Sequence, residues 1–114
     1  DMVMLGHLTV EAIDGASATM SRALATDLLR GELGFGGVVI TDALNMKAMT
    51  DNFTAGEIAV GAVRAGADAL LEPASLEKAL AALEGAVAAG ELSEARIDES
   101  VRRILSLKAA KGII

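Results

Sequence analysis

Gly37-Val38-Val39-Ile40-Thr41-Asp42 is the stretch on which the fold turns. Val38 to Thr41 is short, rich in β-branched residues and apolar until its last position, the pattern of a parallel strand buried on both faces. A helix precedes it. Ser21 is placed to cap that helix, Leu24, Leu28 and Leu29 share one face, and the helix is expected to run to about Leu33. Gly34 then suits the left-handed residue that ends a helix. The first charged residue after the strand is Asp42, so a carboxylate stands at the carboxyl end of a rigid element.

The same alternation extends in both directions. Upstream, Met2 to Leu8 reads as a first strand, and Asp14-Gly15-Ala16-Ser17 as a loop. Downstream, a loop with Asp51, Asn52, Thr54 and Gly56 leads to a helix over about Glu57 to Ala65, stopped by Gly66. Ala67 to Leu71 reads as a third strand, ended by Glu72-Pro73. Ser75 caps a helix reaching about Ala89, with Gly90 after it. Ser93 opens a last helix, in which Ile97, Val101, Ile104, Leu105 and Lys108 recur at three- and four-residue spacing, and Gly112 ends it. Strands alternating with helices predict an α/β fold with a parallel sheet and right-handed crossovers. Three such units do not close an eightfold barrel, which needs about 250 residues. The chain is therefore either a small open sheet or part of a barrel.

Composition supports a helix-covered sheet. Hydrophobic residues make up 53% of the 114 residues and aromatics only 2%, so the core must be built from Ala, Val, Ile, Leu and Met. A site that stacks a sugar ring could use only Phe35 or Phe53 from this chain. The net charge of −6 and scattered basic residues argue against a nucleic-acid partner. The one adjacent basic pair, Arg102-Arg103, is expected to face solvent. No cysteine is present, which rules out disulfides and thiolate metal sites but does not fix a compartment. No apolar run approaches the roughly 20 residues of a membrane helix. The sequence opens on a strand-like run without a visible leader, as though it starts inside a domain.

In parallel α/β folds, chemistry collects at the carboxyl ends of strands. The three ends here offer Gly6, His7 and Thr9; Thr41, Asp42 and Asn45; and Glu72. Asp42 is a candidate nucleophile, since its backbone is anchored by the strand; alternatively it caps the following turn through Asn45. His7, the only histidine, is a substrate ligand or proton carrier, or else a satisfied structural group. Glu72 reads as a loop residue. Asp1 and Asp68, at the amino ends, read as structural or solvent-exposed. One histidine and dispersed carboxylates do not make a metal site. Gly31, Gly34, Gly36 and Gly37 lie after a helix and before a strand, the reverse of a phosphate loop. No cofactor is implied. Met46 and Met49 read as packing residues.

The run from Leu28 to Met46 resembles the nucleophile region of family 3 glycoside hydrolases, and most of all that of bacterial β-N-acetylhexosaminidases. Val3-Met4-Leu5-Gly6-His7-Leu8 is similar to the strand before that region, Ala65-Gly66-Ala67-Asp68-Ala69-Leu70-Leu71 to the final barrel strand, and Arg96 to Leu105 to the helix closing the catalytic domain. The resemblance implies that the chain is the carboxyl-terminal portion (1–114) of the catalytic barrel domain, carrying strands six to eight of a (β/α)₈ barrel. It implies a retaining glycosidase acting on terminal β-N-acetylglucosaminides, with β-glucosides as the alternative substrate. Asp42 would be the nucleophile, and His7 and Met46 would line the sugar pocket. The family's Lys-His-Phe-Pro-Gly-His-Gly segment and its Asp–His acid/base loop are not in this sequence. The isolated chain is therefore expected to be inactive, and a non-catalytic binding module or inactive fragment remains the reading from another class.

Overall fold

The computed structural model describes all 114 residues. Strand β1 (Met2–Leu5) and strand β2 (Val38–Thr41) pair in parallel, with Met2 opposite Val38 and Leu5 opposite Thr41. Between them lie a 3₁₀ turn (Ala18–Met20) and a π-helix (Ala23–Glu32), whose end is marked by the Leu33 N–H donating five residues back to the Leu28 carbonyl. After β2 come a short helix α1 (Lys47–Thr50), then α2 (Ala55–Ala65), α3 (Leu76–Ala88) and α4 (Glu94–Ala110). The chain is an α/β structure with parallel strands, as the strand–helix alternation predicts.

Local chemistry explains most boundaries. Thr54 and Glu57 form a reciprocal capping box at the start of α2. Ser75 and Ser93 accept the Lys78 and Arg96 amides to open α3 and α4. Ser21 accepts the Leu24 N–H at 3.2 Å and donates to Asp14 at 2.7 Å, so it caps the π-helix while tying it to the preceding loop. Gly34 takes φ +70° where that helix ends, a geometry that favours glycine.

Two expectations about strands are corrected. The first strand ends at Leu5, not Leu8: Gly6 leaves the ladder, His7 turns toward Thr19 and Ala43, and Leu8 is exposed. The third segment, 67–71, runs beside β2 but meets it through a single parallel bridge, Ile40 to Ala69. At the carboxyl end the Thr41 hydroxyl, not its carbonyl, takes the Leu71 N–H; at the amino end the cause is the Asp68 side chain. It accepts the Val39 N–H at 3.0 Å, while the Asp68 and Ala69 amides both donate to the Val39 carbonyl. A side chain thus occupies a place in the ladder that a backbone carbonyl would fill.

The core lies between the sheet and the helices. Leu5 and Val39 point to one face and pack against Ala25, Ala62, Ala65 and Ala67, with Leu29, Phe35 and Leu70 at the margin. Alanines let the helices come close, which is how a chain almost without aromatics fills this space. Leu44, Met49 and Ile58 form a second cluster under the carboxyl ends of the strands. On the opposite face of β1, Met2 and Met4 remain about half exposed.

The amino ends of the strands are held by a buried ion cluster around Asp68, whose side chain has no exposed surface. Oδ2 accepts Arg30 at 2.6 Å; Oδ1 accepts Ser100 at 2.7 Å and Arg103 at 3.0 Å; Arg96 stands 3.6 Å away. This corrects the expectation that Arg102-Arg103 faces solvent: Arg102 does, but Arg103 folds inward because Asp68 is there to receive it. Burial pushes the Asp68 carboxyl up, yet the Val39, Ser100 and Arg103 hydrogen bonds and the Arg30 charge hold it below its ordinary range.

Candidate functional site

Three chain segments are laced together around Asp42. Its N–H donates to the Leu5 carbonyl at 2.9 Å, continuing the β1–β2 ladder one residue past the strand. Immediately before it, the fully buried Thr41 accepts the Leu71 N–H on its hydroxyl at 3.1 Å. Two residues after it, the Leu44 N–H donates to the Leu71 carbonyl at 2.8 Å. The Asp42 backbone is thus fixed from both sides, the condition a reacting group needs for a small positional error.

The Asp42 side chain is half-buried. Oδ1 accepts the N–H of Ala43 at 2.8 Å, and no hydrogen bond uses Oδ2. One oxygen is therefore oriented and the other is unengaged. The carboxylate does bond a turn amide, but it does not do so through Asn45, which is exposed.

His7 sits where β1 gives way to its loop. Its Nε2 and the Ala43 carbonyl are 2.7 Å apart, and its Nδ1 and the Thr19 hydroxyl are 2.7 Å apart. A carbonyl can only accept, so Nε2 carries the proton and donates. In the neutral ring Nδ1 then accepts from Thr19. Both nitrogens are engaged within the chain, and the ring ties the carboxyl end of β1 to the residue after Asp42. The structure brings His7 and Asp42 together through Ala43. Met46 is the residue capping the start of helix α1 and is 43% exposed; its carbonyl accepts the Met49 and Thr50 amides. Met49, by contrast, is core.

Glu72 follows Leu71 at the third segment's end, exposed and with φ +44°. The principal cavities lie elsewhere: the largest, about 630 Å³, runs along the outside of α2 and includes Phe53 and Arg64. None of the five principal cavities is lined by Asp42, His7 or Met46, so these residues form an open surface here. No group of three or more histidine and carboxylate side chains is gathered where it could hold a metal ion.

Two supporting contacts, those of Thr19 and Thr41, escape sequence reasoning. Thr19 orients His7 from a segment twelve residues away, and nothing in Ser17-Ala18-Thr19-Met20 marks it. Thr41 is visible only as the polar end of an apolar strand, a weak signal that a hydroxyl will face the neighbouring strand.

Comparison with known proteins follows the same strands. A solved family 3 β-N-acetylglucosaminidase from Paenibacillus sp. str. FPU-7 superposes with a TM-score of 0.94 at 44% identity, over 99% of this chain and 22% of that one. Beta-hexosaminidase A of Pseudoalteromonas piscicida is 31% identical over 94% of this chain and 21% of its own length. The lysosomal beta glucosidase of Dictyostelium discoideum is 40% identical over 89% of this chain and 13% of its own. The chain therefore spans about a fifth or less of the length of these relatives. The model described as the glycosyl hydrolase family 3 N terminal domain matches residues 1–107. That match corrects the expectation of a carboxyl-terminal part: the domain represented is the family's amino-terminal one. On this agreement of sequence, fold and length of match, the chain belongs to glycoside hydrolase family 3, within its N-terminal domain.

Proposed function

We propose that the chain contributes the nucleophile of a retaining glycoside hydrolase, working as part of a longer enzyme that cleaves terminal β-N-acetylglucosaminides. The observation that carries this reading is Asp42: its backbone is clamped between Leu5 and the Leu71 segment, Oδ1 is oriented by the Ala43 amide, and Oδ2 is open. Three neighbouring strand–helix units would belong to an eightfold barrel whose other strands come from elsewhere in the longer protein. The parallel alignment of β1, β2 and Ala69, and the uncovered Met2–Met4 face, support that arrangement.

In this mechanism Oδ2 attacks the anomeric carbon as the bond to the leaving oxygen breaks. A second group, about 5 Å away in the usual carboxylate pairing, protonates that oxygen. The same group then takes a proton from water, which displaces Asp42 and releases the sugar. The second group lies outside this chain, and so the isolated chain is inactive. His7 and Met46 line the sugar pocket; with both ring nitrogens engaged, His7 acts mainly by holding the Ala43 carbonyl and the loop in place.

β-N-Acetylglucosaminides are favoured over β-glucosides because the Paenibacillus relative is a β-N-acetylglucosaminidase and the Pseudoalteromonas one a β-hexosaminidase. The Dictyostelium relative keeps β-glucosides as the second reading. The test is hydrolysis of aryl β-N-acetylglucosaminide and aryl β-glucoside by the intact enzyme and its Asp42→Asn variant. A loss of at least about 10³-fold on the preferred substrate is expected, since a nucleophile acts as one unit with its partners. Full activity of the variant would reject the assignment, and preference for the glucoside would select the second reading.

A further inference from the structure

At the opposite end of the strands from Asp42, the ion cluster opens into a polar cavity of about 380 Å³. Four of the chain's six arginines line it: Arg22, Arg30, Arg96 and Arg103. Glu99 is the one carboxylate on its wall. Asp68 lies beneath, already shared by three of the guanidinium groups, and Asp27 stands 3.9 Å from Arg22. Four positive charges therefore meet three negative ones, in a chain whose net charge is −6.

Donors are left over as well as charge. The Arg30 Nε is buried and has no hydrogen-bond partner. No hydrogen bond uses the Nε of Arg96 or Arg103, and Arg22 is largely exposed. Burial lowers the Arg96 pKa, and the neighbouring Arg103 and Arg30 charges lower it further, against the pull of Asp68 and Glu99. The N-terminus of α4 borders the same cavity through Ser93 and Ala95. That helix has 17 residues, and its first-turn amides and dipole favour an anion there.

We propose that this cavity binds a small oxyanion of the phosphate class, held by Arg22, Arg96 and Arg103 and the first turn of α4. A guanidinium fork matches two oxygens of such a group. Glu99 lines the same space, 3.6 Å from Arg103, and weakens the site by competing for that guanidinium and repelling the anion.

The experiment is calorimetric titration of the intact protein with inorganic phosphate at constant ionic strength, with chloride as the exchanged ion. Arg22 and Glu99 have 68% and 53% of their side-chain surface exposed, so Arg22→Glu and Glu99→Gln leave the buried cluster folded. Saturable binding is expected, weakened about tenfold or more by Arg22→Glu, the scale of one charged hydrogen bond. Glu99→Gln should tighten it several-fold. Absence of saturable binding in the wild type, or affinities unchanged in both variants, would overturn the proposal.

Discussion

Asp68→Asn tests the account of how the strands are held. Each carboxylate oxygen accepts two hydrogen bonds: Oδ2 from Arg30 and Val39, Oδ1 from Ser100 and Arg103. An amide cannot reproduce this, because either orientation turns an NH₂ group toward two donors. The substitution also leaves three guanidinium groups without their shared counter-charge. Breaking a buried ion pair by removing one partner costs about 3–5 kcal/mol. Arg96 and Arg103 keep 19% and 25% of their side-chain surface exposed, so water relieves part of the loss and the lower end, about 3 kcal/mol, is expected. With a urea slope near 2 kcal/mol/M, the midpoint should fall by about 1.5 M. The control is Glu91→Gln, which breaks a 3.0 Å pair with Arg64 in which both side chains are 56% exposed; its effect should stay below about 1 kcal/mol. Because the folded Asp68 carboxyl lies below its ordinary value of 3.8, it resists protonation more than it does in the unfolded chain. Its stabilisation is whole above that pH and fades as the pH falls further below it. Unfolding of the wild type should therefore steepen in that acid range, and Asp68→Asn should lose this component. A variant no less stable than Glu91→Gln at neutral pH would refute the reasoning.

Other consequences can be checked separately. Gly66 has φ +132°, and a Cβ there would stand 2.5 Å from the Thr26 hydroxyl that donates to Ala65; Gly66→Ala should lower stability by more than about 1 kcal/mol, read by thermal unfolding. Residues 1–114 alone should show no saturable hydrolysis of aryl glycosides, and measurable turnover by the purified chain would contradict an external acid/base. The same preparation should self-associate in light scattering, since β1 offers an unpaired edge and half-exposed Met2 and Met4; a monomer at all concentrations would argue against an open barrel face.

The sequence was most legible where local rules and tertiary structure agree. Val38 to Thr41 is a strand because its residues fit a buried parallel position, and the serines and glycines bounding α3 and α4 are the ones found there. Legibility failed where a polar side chain does backbone work. Asp68 reads as a charged strand start, yet it completes the ladder through Val39. Helix α4 shows the same limit. Of its apolar stripe, Ile97 packs against Val63, Ala86 and Leu92, but Val101 and Leu105 are 47% exposed; the one buried residue is Ser100, with Arg96 and Arg103 turned inward beside it. The buried face follows the counter-charge at Asp68, which lies 28 to 35 residues earlier and leaves no local trace. At the candidate site, Asp42 was visible from the strand-end rule. The roles of Thr19, Thr41 and Leu71 were not, because each acts through a contact between segments distant in sequence.

In the proposed mechanism Asp42 becomes covalently bonded to the sugar. Rapid acid quenching of the intact enzyme during turnover of an activated aryl β-N-acetylglucosaminide, followed by peptide mass spectrometry, tests it directly. A peptide containing Val38 to Met46 should gain the mass of one glycosyl residue, localised to Asp42 and absent in Asp42→Asn. A glycosyl adduct on another carboxylate, with Asp42 unmodified, would contradict the account.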